Sequence, residues 1–198
     1  ISSFPRIGAG VFRSLDGGAS WELAGLDSVG IISKLLYLDG DTPALLAGAM
    51  GNPAIPGPNR GLYRSLNNGL EWEQVLLPSD SAGITDMIVD PNTGAIFASA
   101  WQRTRTSTQS IVWGQHSRIW KSIDAGETWT QLDNPWGEGD RGRIGFAASY
   151  SGVYALVVGQ DSQLDNIYRT QDEGITWDSV IPELNIPENA LGGFGWYF

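Results

Sequence analysis

Short apolar segments separated by glycine- and proline-rich turns run along most of this chain of 198 residues. Segments of about four to eight residues, rich in aliphatic and aromatic side chains, are typical of β-strands. Residues 31–38 form an apolar run broken only by Ser33 and Lys34. We expect such a continuous run to be a strand that is covered on both faces. Residues 90–94 and 150–152 have the composition of tight turns, so the pattern predicts an all-β fold.

The predicted strands fall into successive groups along the chain. They are 11–13 and 21–24; 31–38, 44–49, 62–64 and 72–77; 85–89, 95–101, 118–121 and 129–132; 143–149, 153–158, 166–169 and 177–180. A further strand is predicted near the last residues, 192–198, where aromatic side chains follow a glycine pair.

Four segments repeat one pattern: an aliphatic, an aromatic and a basic residue, followed by Ser/Thr-x-Asp/Asn-x-Gly-x-x-Trp. We call residues 11–21, 62–72, 119–129 and 167–177 the box segments. Their polar oxygens can accept backbone hydrogen bonds, glycine permits the positive φ of a tight turn, and we expect Trp to bury its ring against the hairpin. The shared positions are Ser14, Asp16, Gly18 and Trp21; Ser65, Asn67, Gly69 and Trp72; Ser122, Asp124, Gly126 and Trp129; and Thr170, Asp172, Gly174 and Trp177. The repetition predicts a repeat architecture.

The box segments resemble the Asp-box, or BNR, repeat of sialidases, sortilin-type Vps10 domains, xyloglucanase-type glycoside hydrolases and photosystem assembly factors. This resemblance implies a β-propeller of four-stranded antiparallel blades, with one box in the hairpin between the third and fourth strands of each blade. Asn67 departs from the pattern but keeps an acceptor oxygen. Residues 85–91, 97–101 and 142–145 add a looser similarity to large bacterial sortilin-like proteins, which are often described as glycosyl hydrolases. The motif is specific for the fold and much less specific for a function.

In this interpretation residues 1–198 are a single propeller portion with about three and a half blades. The expected divisions are a partial blade at 1–27, blades at 28–80, 81–137 and 138–185, and the start of the next blade at 186–198. Propellers close with about four to eight blades. We therefore expect the chain to be part of a larger propeller of about six to eight blades or more, completed by further sequence or by a partner chain. The alternative is a four-bladed ring in which residues 194–198 pair into the first blade.

The composition of the chain argues against several classes of binding partner and bound group. The formal net charge is −10 with only two lysines, which argues against binding to nucleic acid. The chain has no cysteine, so thiolate metal sites and disulfides are excluded, and no apolar run is long enough for a membrane span. We expect no cofactor and no metal. The resemblance implies a secreted, periplasmic or cell-surface location.

The candidate binding surface lies in the long links between strands, at residues 51–60, 101–117, 133–141 and 159–165. Loops that a rigid scaffold positions commonly carry binding residues, and aromatic faces with polar neighbours suit sugars. The candidate ligand-binding residues are Trp101, Arg103, Arg105, Trp113, His116 and Trp136. Trp101 ends a predicted strand, which favours a place in the core between blades over a ligand platform. His116 has no second His or Cys, which fits an ordinary hydrogen-bonded histidine.

The charged residues are compatible with two functions, a recognition scaffold and a glycoside hydrolase. Arg13, Arg64, Lys121 and Arg169 precede the boxes at one fixed position, which indicates a structural role for their long stems. Glu138, Asp140, Asp161 and Asp165 could supply the carboxyl pair of a glycoside hydrolase. Xyloglucanase-type relatives carry an Asp before a Gly-Gly-aromatic-Arg segment, whereas residues 49–51 contain no acid. We therefore expect a recognition scaffold for a protein or glycan ligand on the long-loop face, with a glycoside hydrolase, xyloglucanase- or sialidase-like, as the alternative.

Overall fold

The computed structural model describes residues 7–40 and 42–181, and these are organised as β-strands. The strands are β1 (Phe12–Arg13), β2 (Glu22–Leu23), β3 (Ile31–Leu38), β4 (Ala44–Gly51), β5 (Gly61–Ser65), β6 (Glu73–Leu76), β7 (Ala82–Val89), β8 (Ile96–Gln102), β9 (Thr104–Arg105), β10 (Ser110–Ile111), β11 (Ile119–Ser122), β12 (Thr130–Gln131), β13 (Ile144–Ser149), β14 (Gly152–Val158), β15 (Leu164–Thr170) and β16 (Asp178–Ser179).

These strands form a series of antiparallel sheets. Sheet 1 is the pair β1-β2, sheet 2 is β3-β4-β5-β6, sheet 3 is β7-β8-β11-β12 and sheet 4 is β13-β14-β15-β16; β9 and β10 form a separate hairpin. The predicted all-β class with four-stranded antiparallel sheets is confirmed. The strand predicted at 192–198, and with it the expected start of a further blade at 186–198, lies outside the described residues.

Hydrophobic cores lie between successive sheets. Leu46 of sheet 2 packs in one cluster with Met87 of sheet 3, and both side chains are almost fully buried. Phe97 of sheet 3 packs in a second cluster with Ile144 and Val153 of sheet 4. Each interior sheet therefore buries apolar side chains on both faces. Face-to-face stacking of four-stranded antiparallel sheets in chain order is the arrangement of a β-propeller.

Strand β3 differs from the expectation that both of its faces are covered. Leu36 and Leu38 pack against the core shared with sheet 3, as expected. On the opposite face Leu35 is 46% exposed and Tyr37 is 57% exposed. The described part of sheet 1 has only two strands, and the cluster beside it contains Ala47, Ala49 and Tyr63 of β4 and β5 but neither Leu35 nor Tyr37.

Each box segment closes a hairpin between the third and fourth strands of its sheet. In the third box the Ser122 hydroxyl accepts a hydrogen bond from Gly126 N at 2.9 Å, and the Asp124 carboxylate accepts one from Thr128 N at 2.9 Å. The turn has two consecutive positive φ angles, 54° at Ala125 and 79° at Gly126. Side-chain acceptors thus replace the strand partners that a turn lacks.

The carboxylates of the boxes are held in their charged form by these donors. Hydrogen bonds from Ser20 hold the pKa of Asp16 well below its usual range. Burial alone would raise the pKa of Asp124, but hydrogen bonds from Thr128 and Ser122 lower it to about 2. These aspartates are therefore ionised acceptors of the hairpin at neutral pH.

The second box uses a different pair of side chains for the same closure. Asn67 Oδ1 accepts a hydrogen bond from Glu71 N at 2.9 Å, as the aspartates do in the other boxes. Asn67 Nδ2 donates to the Glu71 carboxylate at 3.0 Å. The other boxes have Ser20, Thr128 or Thr176 at the position of Glu71, and there a hydroxyl donates to the aspartate. Donor and acceptor are thus exchanged within one hairpin.

The box tryptophans pack on the sheet that precedes them in the chain. Trp72 Nε1 donates to Ala24 O of the first sheet's hairpin at 2.6 Å, Trp129 packs against the core of sheets 2 and 3, and Trp177 meets Phe97 edge to face with centroids 6.2 Å apart. Trp21 is 64% exposed, so the expectation that every box Trp is buried is wrong for the first box. Its ring has no preceding sheet among the described residues.

The basic residue before each of the first three boxes reaches the next box along the chain. Arg13 Nη1 donates to Asn68 O at 3.2 Å, and Arg64 Nε donates to Ala125 O at 3.1 Å. Lys121 Nζ lies 3.5 Å from Glu173 Oε2. We call these contacts the inter-sheet latches. They give the repeated basic position a structural explanation.

Candidate functional site

The long links gather on one edge of the sheets. Because boxes join the third and fourth strands, the links between second and third strands lie at the opposite ends of the same strands. These links are residues 52–60 in sheet 2, 103–118 in sheet 3 and 159–163 in sheet 4. We call this edge the long-loop edge. It is separated from the box hairpins by the length of the sheets.

The first of these links is fixed by a buried arginine. Arg60 is 1% exposed, and its guanidinium donates to the backbone oxygens of Ser81 at 2.9 Å, Arg103 at 3.1 Å and Asn52 at 3.0 Å. Burial lowers the pKa of Arg60, and the charge of Asp80 opposes that change. Arg60 therefore holds the link of sheet 2 against that of sheet 3, a role that the sequence did not reveal.

The second link contains a hairpin that the sequence analysis treated as loop. Strands β9 and β10 pair Arg105 with Ser110, and Arg105 N donates to Pro53 O at 2.7 Å. The hairpin is thus anchored on the neighbouring link. Its strands are only two residues long, too short for the hydrophobic periodicity that reveals longer strands.

Trp101 is a buried support and not an exposed platform. Trp101 is only 3% exposed, and its Nε1 donates a hydrogen bond to Val112 O at 2.7 Å. The Arg103 guanidinium carbon lies 4.7 Å from its ring centroid, and that of Arg143 lies 6.0 Å away. Cation–π attraction at these distances holds guanidinium groups in place. Trp101 therefore positions two arginines and cannot stack on a ligand itself.

The exposed aromatic surface comes from another tryptophan, Trp113. Trp113 is 38% exposed, and the next residue, Gly114, pairs with Arg141 through a hydrogen bond of 3.0 Å. The Arg141 guanidinium carbon lies 5.8 Å from the ring centroid of Trp136, and its Nε lies 3.0 Å from the Asp165 carboxylate. Three links, at 101–117, 133–141 and 159–165, are thereby joined into one surface.

Trp136 lies beneath that surface and packs against the core shared by sheets 3 and 4. The side chain is half-buried, and its Nε1 is buried without a hydrogen-bond partner among the described residues. A buried donor without a partner is costly, and its satisfaction by a ligand or water is a recognised explanation.

His116 contributes little to a site. Its backbone N donates to Gln102 Oε1 at 3.2 Å, and its ring Nε2 lies 3.2 Å from the side-chain amide of Gln115. Within residues 7–40 and 42–181 no group of three His, Cys, Asp or Glu side chains could hold a metal ion. The geometry supports the ordinary hydrogen-bonded histidine.

Two of the four candidate carboxylates have structural partners. Asp161 Oδ1 accepts a hydrogen bond from Gln163 N at 3.0 Å within its own turn, and Asp165 is paired with Arg141. Glu138 and Asp140 lie near Arg118. Burial lowers the pKa of Arg118, and the charges of Asp140 and Glu138 oppose this effect.

Arg143 is the residue of this edge that the candidate list missed. It precedes β13 and approaches Trp101 from sheet 4, while Arg103 and Arg105 come from the link of sheet 3. The sequence signal was an arginine between glycines in Gly142-Arg143-Ile144-Gly145, which was assigned to a strand. Only the stacking of sheet 4 on sheet 3 brings it to the site.

The structure has no membrane-spanning helix in the part of the chain that it describes. No protein-family model matches the sequence, and no curated protein matches it. The fold does match solved structures. An ancestral GH74 enzyme has a TM-score of 0.60 at 17% sequence identity, covering 85% of this chain and 21% of that enzyme. A Niastella koreensis GH74 enzyme has a TM-score of 0.57 at 16% identity, covering 86% of this chain and 26% of that enzyme.

These similarities establish the fold. The chain corresponds to 21% of one enzyme and 26% of the other, so it spans about a quarter of the length of the structures that it matches. Identities this low carry no residue correspondence. The matched folds agree with the β-propeller arrangement of the stacked sheets.

Proposed function

We propose that this chain is the recognition portion of a β-propeller that binds glycan on its long-loop edge. The observation that carries the proposal is the joining of three links around Trp113, Trp136 and Arg141. An exposed indole beside hydrogen-bond donors is the general recipe of a sugar site, because the ring covers apolar sugar faces and the donors meet hydroxyls. The likeness of fold to two GH74 enzymes supports a glycan over a protein ligand.

The same proposal assigns the box segments to structure. Their carboxylates accept hydrogen bonds within their own hairpins, and their tryptophans pack on the preceding sheet where one is present. None of these groups belongs to the long-loop edge. Recognition and stability are therefore separated at the two ends of the strands.

A binding measurement with two matched tryptophans tests this function. The 198-residue chain is applied to an array of cello-, xylo-, manno- and galacturono-oligosaccharides, and the affinity of each bound sugar is then measured by calorimetry. We expect Trp113→Ala to weaken binding by up to about tenfold, since an aromatic contact contributes on the order of 0.5–1.5 kcal/mol beyond the area that it buries. Trp21→Ala removes an exposed indole at the opposite end and should leave the affinity unchanged.

The results of these measurements distinguish a glycan-binding site from a glycoside hydrolase. Binding to no oligosaccharide, or equal binding by the two variants, would contradict the glycan site. Release of new reducing ends, abolished by Glu138→Gln or Asp140→Asn, would instead establish the glycoside hydrolase alternative. That alternative rests on the same fold and on two carboxylates that form no ion pair within 4.0 Å among the described residues.

We further propose that a following blade of the same repeat covers sheet 4. Its outer face carries Tyr154, Leu156 and Ile167 around an open, largely apolar cleft of about 390 Å³. Arg169 stands at the latch position, and its Nε is buried without a hydrogen-bond partner among the described residues. Arg13, Arg64 and Lys121 each reach the next box from that position. The cleft and the open latch together favour a further blade.

A further inference from the structure

The arginines of the long-loop edge divide into two groups. Arg60 donates to backbone oxygens, Arg118 donates to Ser117 O at 2.9 Å, and Arg141 pairs with Asp165. Arg103 and Arg143 have no side-chain hydrogen bond and no ion pair among the described residues, and the same is true of Arg105. The first group is structural. The second group needs another explanation, because the Nε atoms of Arg103 and Arg143 are buried without a partner, and buried polar atoms are normally hydrogen-bonded.

The guanidinium carbons of Arg103 and Arg143 lie 4.7 Å and 6.0 Å from the centroid of the same Trp101 ring, and Arg105 follows Arg103 by two residues in the same link. Burial lowers the pKa of Arg103, and the neighbouring positive charges of Arg105 and Arg143 lower it further. Trp101 attracts the guanidiniums of both Arg103 and Arg143 to one ring. Like charges repel, so this packing is unfavourable unless something negative is bound between or above them.

No described carboxylate forms an ion pair with Arg103, Arg105 or Arg143, which we call the arginine group. Asp86 is the carboxylate whose charge acts on Arg143. It is already committed, because Oδ1 lies 2.9 Å from Lys34 Nζ and Oδ2 accepts a hydrogen bond from Phe146 N at 2.8 Å. Although the net charge of the chain is −10, no described acid forms an ion pair with any of the three arginines.

The arginine group is also oriented toward the surface. The Nε atoms of Arg103 and Arg143 are buried without partners, whereas their Nη atoms are not buried. All three residues are half-buried, so their stems are held and their tips remain accessible. Planar guanidiniums with free Nη donors match oxyanions in a bidentate manner.

We propose that Arg103, Arg105 and Arg143 bind an oxyanion carried by the glycan, the carboxylate of a uronic acid or a sulfate ester. This inference rests on the proposed glycan-recognition function. The link with the sugar surface is short, because Trp101 Nε1 donates to Val112 O, the residue before Trp113. The anionic substituent is bound by the arginine group while the sugar ring covers Trp113. Acidic glycans are therefore the preferred ligand class.

The test compares ligands that differ only in charge. Octagalacturonate and its fully methyl-esterified form share one backbone, and a chondroitin sulfate octasaccharide supplies the sulfate arm. Hexaglutamate is the peptide probe. Affinities are measured by calorimetry at low and high salt for the 198-residue chain, for Arg103→Gln and Arg143→Gln, and for Arg13→Gln as control. Arg13 is paired with Glu22 at the box end of sheet 1.

We expect an acidic octasaccharide to bind at least about tenfold more tightly than the esterified one, with the advantage reduced by salt. Arg103→Gln and Arg143→Gln should each remove most of that advantage, and Arg13→Gln should keep it. Arg105→Gln provides the same test if either variant melts at a clearly lower temperature. The sulfate and carboxylate arms identify which substituent is preferred.

Three results would overturn the inference. They are equal affinity for the charged and esterified octasaccharides, an advantage that survives in both arginine variants, and binding of hexaglutamate alone. In the first two cases, binding of the esterified sugar that Trp113→Ala weakens would leave the glycan function intact. Absence of binding by every saccharide would remove both proposals together.

Discussion

At the scale of residues, the four boxes show that one hairpin can be closed by two hydrogen-bond arrangements. Asp16, Asp124 and Asp172 accept a hydroxyl hydrogen bond from the residue four positions later. Asn67 donates to a glutamate at that position instead. The backbone bond that closes the turn is the same in both arrangements, so the two residues must change together.

Because donor and acceptor are exchanged between Asn67 and Glu71, we predict that a second substitution restores the stability lost in a first. Asn67→Asp places a carboxylate against Glu71 in place of the donor, so a hydrogen bond is replaced by repulsion and the free energy of unfolding should fall by about 1 kcal/mol. The double variant Asn67→Asp/Glu71→Thr copies the third box and should recover this loss. Thermal melts of both single variants and the double variant measure the coupling. Additive losses without recovery would contradict the exchange.

The residue scale also shows what the sequence could not reveal about the site. The box side chains act within a few positions of one another, so their hydrogen bonds follow from the motif. Trp101 and Arg143 lie on different sheets, and only stacking makes one the support of the other. Arg60 looks like an ordinary loop arginine, although its burial makes it the anchor of two links. Long-range contacts of this kind leave no local pattern.

At the scale of elements, the pattern of apolar residues predicted where the longer strands lie. It did not predict which faces of these strands are covered by neighbouring sheets. The predicted strand 31–38 coincides with β3, yet Leu35 and Tyr37 on one of its faces are exposed, because the two described strands of sheet 1 do not reach them. The β9–β10 hairpin was missed because four residues carry too little pattern. Coverage depends on neighbouring sheets, which a strand's own sequence does not encode.

The open faces predict how the isolated chain behaves. One end exposes Leu35 and Tyr37, and the other exposes the apolar cleft around Leu156, so two apolar surfaces are available for head-to-tail contact. We expect the average mass in multi-angle light scattering to rise with concentration. Leu156→Glu should return it to the mass of one chain.

Ile123→Glu is the matched control, because Ile123 is 77% exposed on a box hairpin, away from the cleft. It should leave the association unchanged. A single-chain mass at every concentration, or equal effects of the two substitutions, would show that sheet 4 does not need a following blade.

At the scale of the whole molecule, the proposed recognition surface and the contacts that tie the sheets together lie at opposite ends of the strands. Boxes and latches tie successive sheets together at one end, and long links meet at the other. The repeat made the architecture predictable, since four copies of one hairpin imply equivalent sheets. The ligand was less predictable, because sites lie on variable loops whose positions depend on the fold that carries them.

Hydrogen–deuterium exchange with and without octagalacturonate tests this separation most directly. The account predicts slower amide exchange on ligand binding at residues 101–117 and 133–143, because ligand contacts close these links. The box hairpins at 14–21, 65–72, 122–129 and 170–177 should exchange at the same rate in both states. Protection at the box hairpins, with the long links unchanged, would contradict the account and move the recognition surface to the other end of the sheets.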